Sequence, residues 1–515
     1  MQIVSSNWKV EQQKRIITAE SLLEISLFVG DPAAQASAVT SDNGHEVYSN
    51  TAQLADETEK TPVRYATLEK NLWILNETFS TLPDTPPYGN NGFIGNELSV
   101  ADGTFAKTPT IIITFSNVFD ALIPGVTVTW GEAYGEWATS FRVTAYNGED
   151  IVAQKTVVGN TDMKSVIAVD IQGYNKIVVE VLKWQRPYRR ARIQSILIGV
   201  ERIYTKADIM EFSHTMFVDP LSAELPKTEI KFQLKNLNGD YNPDNPVGAE
   251  KYLMQRQAVE ARYGYRLNSE EEWIACGLFF MSEWETPQNG FAASFAARDL
   301  LEYMSDKYTG PGSGTLLSIA TAALTQAGLP QKADGTNRWT LWSGLSDITA
   351  PSGADLSGYT IAETLQLAAN AACCVFYQDR AGVLHIEPLV DTTSGYRIDR
   401  SVSYGNAEIA LTKQLKAVNV NDGMAVANND TVGEIQNVTN PLISVERADA
   451  VAQWAANYLK NRRVYTGNWR ADPRLDVLDR AVVENLFASN SVLITEIEYN
   501  YNGAWRGSYE GRGGA

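Results

Sequence analysis

At 515 residues, 44% hydrophobic and 10% aromatic, the chain is too long for one core and is expected to hold about three or four folded domains. Its 61 acidic residues outnumber 43 basic ones, a formal charge of −18 that excludes a duplex-binding surface built on phosphate contacts. No apolar run approaches the ~18 residues of a membrane span, three cysteines make no disulfide framework, and Met1-Gln-Ile-Val-Ser-Ser-Asn-Trp-Lys lacks the basic start and apolar core of a signal peptide. Stable membrane insertion and Sec export are therefore not expected.

In residues 1–63, Leu22-Leu-Glu-Ile-Ser-Leu-Phe-Val reads as a strand, and an Ala/Ser/Thr/Asn-rich stretch follows to Asn50. A leading strand and hairpin, at a domain edge or as an adaptor, is expected. Residues 64–200 are rich in Thr, Val, Ile and aromatics. Strands are expected at Thr110-Ile-Ile-Ile-Thr-Phe, Val126-Thr-Val-Thr-Trp, Phe141-Arg-Val-Thr-Ala-Tyr, Ser165-Val-Ile-Ala-Val-Asp, Lys176-Ile-Val-Val-Glu-Val and Arg192-Ile-Gln-Ser-Ile-Leu-Ile. Short strands at this spacing, with no helical period between them, indicate a jelly-roll β-sandwich. The block resembles discoidin-like, galactose-binding-like modules through Tyr65-Ala-Thr-Leu-Glu-Lys-Asn-Leu-Trp, Pro124-Gly-Val-Thr-Val-Thr-Trp and Arg190-Ala-Arg-Ile-Gln-Ser-Ile-Leu-Ile-Gly.

Residues 201–310 centre on Glu229–Pro287. In Glu229-Ile-Lys-Phe-Gln-Leu-Lys-Asn the apolar Ile230, Phe232 and Leu234 alternate with polar residues, the period of a half-buried strand. A loop follows in which Asn236, Asn238, Asp240, Asn242 and Asp244 come at every second position among Gly239, Pro243 and Pro246. Val259, Ala261 and Tyr263 share one face of the next strand, and two more are expected near Glu272–Met281 and Phe291–Asp299. Residues 311–402 form a small α/β middle domain, introduced by the linker Gly310-Pro-Gly-Ser-Gly. Its helices are expected over Leu316–Ala327, stopped by Gly328, and from Thr360, where Thr360-Ile-Ala-Glu363 is a capping box. A hairpin follows through Cys374-Val-Phe-Tyr-Gln, Asp379-Arg-Ala-Gly and Val383-Leu-His-Ile-Glu. Residues 403–515 carry one helix, with Val451, Trp454, Ala455, Tyr458 and Leu459 at helical spacing, then Trp469-Arg-Ala-Asp-Pro-Arg-Leu-Asp-Val-Leu-Asp-Arg and two strands.

Phe232-Gln-Leu-Lys-Asn, Tyr241-Asn-Pro-Asp-Asn-Pro, Tyr263-Gly-Tyr, Ala297-Arg-Asp and the Asp-Arg-x-Gly turn together resemble the tail-tip hub proteins of phages and prophages, including the tail-associated lysin family. The resemblance covers roughly residues 200–510. Where that pattern commonly has glycine, Leu478 stands. The resemblance implies a mainly β, multidomain chain with some α structure: two hub-type β-barrels, over 201–310 and 403–515, the middle domain between them, and the jelly-roll sandwich. It further implies a homotrimeric structural protein of the virion, assembled in the host cytoplasm, that closes the tail tube and has the distal tail protein, the tape measure and the receptor-binding protein as partners.

Catalytic constellations are not found. His45, His214 and His385 lie far apart, without the paired spacing of a zinc site. The Asn236–Asp244 series fails the EF-hand test, with Tyr241 at the glycine position and Val247 at the bidentate one. Cys373-Cys374 falls among Ala and Val, the setting of inert thiols. No metal, cofactor or enzymatic activity is expected, and with the sequence ending soon after the second barrel a lysin domain is not expected either. Binding is the stronger signal. The acidic loop Gly131-Glu-Ala-Tyr-Gly-Glu-Trp and the basic loop Lys183-Trp-Gln-Arg-Pro-Tyr-Arg-Arg combine rings with charges, a composition that suits host cell-wall glycan. Tyr88, Tyr134, Trp137, Arg186, Tyr188 and Arg189 are the candidate carbohydrate ligands, with core packing the competing role for Trp137. A tail-associated wall hydrolase and a stand-alone carbohydrate-binding protein are the alternatives.

Overall fold

The computed structural model describes all residues except 15, 56–61, 222–223, 246–249, 287–289, 333–335, 391–392 and 514–515. Strands dominate it, in several sheets with a minority of helix, as a mainly β multidomain chain requires. The two barrels expected from sequence instead form a single thirteen-stranded sheet, with no closed barrel among the described residues. Its strands in chain order are β1 (Glu20–Gly30), β2 (Gly199–Thr205), β3 (Ile209–Phe217), β4 (Lys227–Lys235), β5 (Ala258–Leu267), β6 (Glu270–Glu285), β7 (Ala292–Arg298), β8 (Thr393–Ile398), β9 (Glu408–Leu411), β10 (Arg463–Trp469), β11 (Arg480–Glu484), β12 (Ser489–Tyr501) and β13 (Trp505–Gly513). They lie in the order β2-β1-β5-β6-β7-β4-β3-β12-β13-β10-β9, with β11 against β12 and β8 alongside β11.

The seam between the two halves is the β3–β12 ladder, where Phe212 pairs with Tyr501, His214 with Tyr499 and Met216 with Ile497. Aromatic residues fill it. Tyr263 of β5 meets Trp505 of β13 edge to face at 4.6 Å and Tyr499 at 5.5 Å. A single hydrophobic cluster runs from Leu23 and Ile25 through Phe232 and Phe295 to Trp469 and Trp505. Fully burying one such side chain contributes about 1.5–3 kcal/mol. Two barrels in sequence thus become one cooperative layer, because large rings from both halves share the space between them.

The polar loop after β4 closes on itself. Asn242 Oδ1 accepts from the Asp244 amide at 2.9 Å, the Asx pattern that favours turns, and Asn236 Oδ1 reaches across the loop to the Tyr241 amide at 3.1 Å. Pro246 and Val247 lie outside the described residues.

The chain leaves the large sheet at Gly30 and returns at Gly199, which stand opposite each other in the β1–β2 ladder. Both positions require glycine. An added Cβ on Gly30 would sit 2.5 Å from the Ile198 carbonyl, and one on Gly199, at φ +151°, 2.6 Å from the Gly30 Cα. Between them lies a two-sheet sandwich. One sheet orders Phe93–Leu98, Arg190–Leu197, Ile123–Trp130 and Lys164–Ile171; the other orders Val39–Asp42, Thr110–Phe119, Tyr174–Trp184, Ala138–Asn147 and Asp150–Val158. Ala34 and Leu54 enter its core beside Trp130, Phe141 and Trp184, so residues 31–55 pack with the 64–200 stretch.

The middle region has its own core. Helices Leu316–Ala327 and Ile361–Ala371 begin at the caps Thr315 and Thr360, the latter in a complete capping box, and the first ends at Gly328 with φ +61°. The helix Val445–Leu459 joins the same core through Ala448, Val451 and Ala455 and packs on the strand Leu415–Val420. Leu478 holds φ +67°, a left-handed conformation that glycine adopts without strain.

Candidate functional site

The loops at one end of the sandwich gather around a buried set of charges. Glu136 follows the short turn Glu132–Tyr134 and is 1% exposed. Its Oε1 accepts from Arg189 Nε at 2.9 Å and its Oε2 from Trp184 Nε1 at 3.0 Å. Arg192 Nη1 stands 3.9 Å from the same carboxylate, while its Nη2 pairs with Glu69. Glu69 also accepts from the Arg190 amide at 2.8 Å. Burial alone would raise the Glu69 carboxyl; the charge and hydrogen bond of Arg192 outweigh it and hold the group below its ordinary value. Two carboxylates and two guanidiniums therefore sit buried together, a costly arrangement that persists only when the pairs are complete.

This network holds the segment that follows Tyr65. Arg189 donates through Nη1 to the Lys70 carbonyl and through Nη2 to the Asn71 carbonyl at 2.5 Å. Beyond that anchor, Leu68, Trp73, Ile74 and Leu75 face solvent, with Trp73 Nε1 donating to the Thr67 carbonyl at 2.9 Å.

The six candidate ligands fall into different settings. Arg189 is buried and its donors are taken up by Glu136 and the loop. Tyr134 is half-buried; its hydroxyl accepts from the Tyr65 amide at 3.1 Å and donates to the Val63 carbonyl at 3.3 Å. Trp137 is half-buried, packs against the sandwich core and donates from Nε1 to the Asn160 carbonyl at 3.0 Å. Tyr88 is half-buried, and its carbonyl accepts from the Tyr65 hydroxyl at 2.8 Å. Arg186, with its side chain 55% exposed and its Nε 3.9 Å from Glu136 Oε1, and Tyr188, 40% exposed, reach the surface. Lys70 Nζ lies 5.1 Å from the Tyr188 ring centre. Trp73, 42% exposed, adds a second surface ring on the neighbouring loop. Sequence reasoning passed over Glu69, Glu136, Lys70, Arg192 and Trp73. The alternation Arg190-Ala-Arg192 in a strand was the one available signal, since a charge at an inward-facing position calls for a buried partner.

The other candidate groups stay apart. His45 pairs with Asp42, His214 is buried in the seam against the Tyr263 hydroxyl, and His385 contacts Asp379 at 3.0 Å. Among the described residues, no three His, Cys, Asp or Glu side chains converge as a metal site needs, and no helix is long and apolar enough to cross a membrane.

No family model and no curated protein matches the chain. Among solved structures it is similar to a 43 kDa tail protein of prophage MuSo2 from Shewanella oneidensis, with 14% identity over 60% of this chain and 93% of that one, at a TM-score of 0.41. The tail protein from Neisseria meningitidis MC58 gives 12% identity over 61% and 93%, at 0.41. Prophage tail protein gp18 from Listeria monocytogenes EGD-e gives 12% identity over 61% and 91%, at 0.37. All three are described as tail proteins.

Proposed function

We propose that the chain is a structural hub protein of a phage-type tail tip, acting mechanically and adhesively in the virion, and that it assembles as a trimer with other tail proteins. The observation that carries this reading is the arrangement of the hub-like phrases. Phe232 and Leu234 lie on β4, Tyr263 and Tyr265 on β5, and Ala297 on β7, with Asp299 capping the turn that follows. These strands belong to the sheet that continues unbroken into residues 463–513. Such a layer suits a wall element of a ring, and closed cyclic symmetry keeps a repeated subunit from growing without limit. Native mass measurement of concentrated protein and symmetry determination on tail particles test this: three copies per tip are expected, and a monomer in the assembled tip overturns it. A zymogram on host walls tests the non-enzymatic part, since clearing would assign a hydrolase.

For the sandwich, the proposed role is attachment to host wall glycan. The exposed ring of Tyr188, with Lys70 Nζ 5.1 Å from its centre, and the exposed ring of Trp73 on the neighbouring loop support it. A sugar stacks on rings and gives its hydroxyls to charged groups. One such site binds weakly, and three on a ring raise apparent affinity on a repetitive polymer by ~10²–10⁴. The trimer should therefore adsorb to walls measurably and the isolated sandwich feebly.

A further inference from the structure

The turn Asp379–Gly382, at the tip of the hairpin Val375–Gln378 and Leu384–Glu387, reaches out of the middle region into the seam of the large sheet. Arg380 at its apex is buried. Its Nε donates to Asp476 Oδ1 at 2.5 Å, Nη2 to the Leu475 carbonyl at 3.0 Å and Nη1 to the Ala275 carbonyl at 3.2 Å. The guanidinium carbon lies 5.6 Å from the centre of the Tyr263 ring. Ala275 and Tyr263 belong to the first half of the sheet, Leu475 and Asp476 to the second, and Arg380 to neither. One side chain thus touches three parts of the chain.

The turn is shaped for this contact. Gly382, at φ +69°, presses on β6 so closely that an added Cβ would stand 2.9 Å from the Leu278 Cβ. Gln378 fixes the hairpin to the first half, accepting from the Leu300 amide at 2.8 Å and donating to the Leu278 carbonyl at 3.2 Å. Toward the second half the packing is looser. A cavity of about 280 Å³, lined by Met216, Cys276, Tyr377, Glu387 and Val477, separates the hairpin from the 476–479 segment. Arg380 bridges that gap. A buried ion pair adds little net stability over an apolar replacement, and its best-attested use is to fix one arrangement against others.

We propose that Arg380 is a latch: engaged with Asp476 it holds the hairpin tip against the second half of the sheet, and released it lets the hairpin part from that half while Gln378 keeps it on the first. The two halves stay joined through the β3–β12 ladder. Nothing in this inference depends on the tail-tip reading.

Hydrogen exchange on the full chain, with and without Arg380→Met, is the test. Amides of Val375–Glu387 should exchange about tenfold faster, the loss of one charge-assisted contact. Helices Leu316–Ala327 and Ile361–Ala371, and strands β3 and β12, should keep their protection. Equal loss of protection in the helices and the seam would make Arg380 an ordinary stabilising contact, and no change anywhere would leave it without a role; either result overturns the latch. Should Arg380→Met not fold, Arg380→Gln provides the same readout, because it leaves the contacts of Asp476 with Gln2 and the N-terminal ammonium in place.

Discussion

The guanidinium of Arg192 lies over the ring of Tyr134, 4.2 Å from its centre. A ring held this way beneath a buried ion pair is part of the sandwich's framework. Tyr134→Ala is expected to lower the stability of the sandwich by about 2 kcal/mol, through the lost stacking and the lost hydroxyl bridge to Val63 and Tyr65. Tyr188→Ala, at an exposed ring, should stay within about 0.5 kcal/mol. Thermal melts of both variants measure this. Only the Tyr188 variant, paired with Trp73→Ala, then reports cleanly on wall adsorption.

Glu136 faces three guanidiniums, those of Arg189, Arg192 and Arg186, and an indole at once. Glu136→Gln keeps the shape but removes the charge that Arg189 and Arg192 are buried against, and breaking a buried pair costs about 3–5 kcal/mol. Denaturant unfolding should show that loss. A change smaller than about 1 kcal/mol would mean that water reaches the network.

His214 is fully buried, and burial, followed by the charge of Arg380, holds its pKa far below the ordinary 6.5. The folded chain keeps it neutral, while the unfolded chain takes up a proton below about pH 6.5. Stability therefore falls as the pH drops through that value. Buried Asp299, raised to about 6 mainly by burial, acts the other way: the folded chain holds its proton between pH 6 and the unfolded value, which favours folding. Urea midpoints for His214→Gln should show a flatter fall from pH 7 to 6 than the parent, and those for Asp299→Asn a steeper fall below 6.

Glu496 stands directly opposite Glu510 in the β12–β13 ladder. Burial, then the charges of Glu510 and Glu498, push the Glu496 carboxyl up. Like charges directly opposite destabilise a sheet by about 0.2–1 kcal/mol. Glu510→Gln should stabilise the chain by that amount at pH 7. The gain should vanish in acid, because the raised group is the first to take its proton and end the repulsion. Melting temperatures at pH 7 and pH 4 check both halves of this.

Leu475 and Leu478 offer a contrast three residues apart. Leu475 is fully buried, and Leu475→Ala should cost about 2–5 kcal/mol. Leu478→Gly relieves a left-handed conformation, with a gain of about 1 kcal/mol offsetting the lost contacts of a half-buried side chain, so its net change should stay within about 1 kcal/mol. Denaturant midpoints compare the two.

What the sequence determined by itself was local. The alternation at Ile230, Phe232 and Leu234, the capping box at Thr360 and Glu363, the stop at Gly328 and six of the nine sandwich strands declare themselves within a few residues and stand where their patterns placed them, while Val39–Asp42, Phe93–Leu98 and Asp150–Val158 did not. The displacement of glycine by Leu478 also marked a real peculiarity of the backbone, a leucine at positive φ. Pairing over long distances was not written in any such window. The β3–β12 ladder joins residues nearly 290 positions apart in the chain (Phe212 with Tyr501), and no short pattern distinguishes one sheet from two barrels, because strand edges accept any partner with the right register. The same limit governs the site. Glu69 and Arg192 are 123 residues apart, yet their meeting made Arg189 and Tyr134 internal and left Trp73, Tyr188, Lys70 and Arg186 at the surface. Which charges are buried is a property of the fold, since a guanidinium can leave water only where a carboxylate from elsewhere in the chain is already waiting.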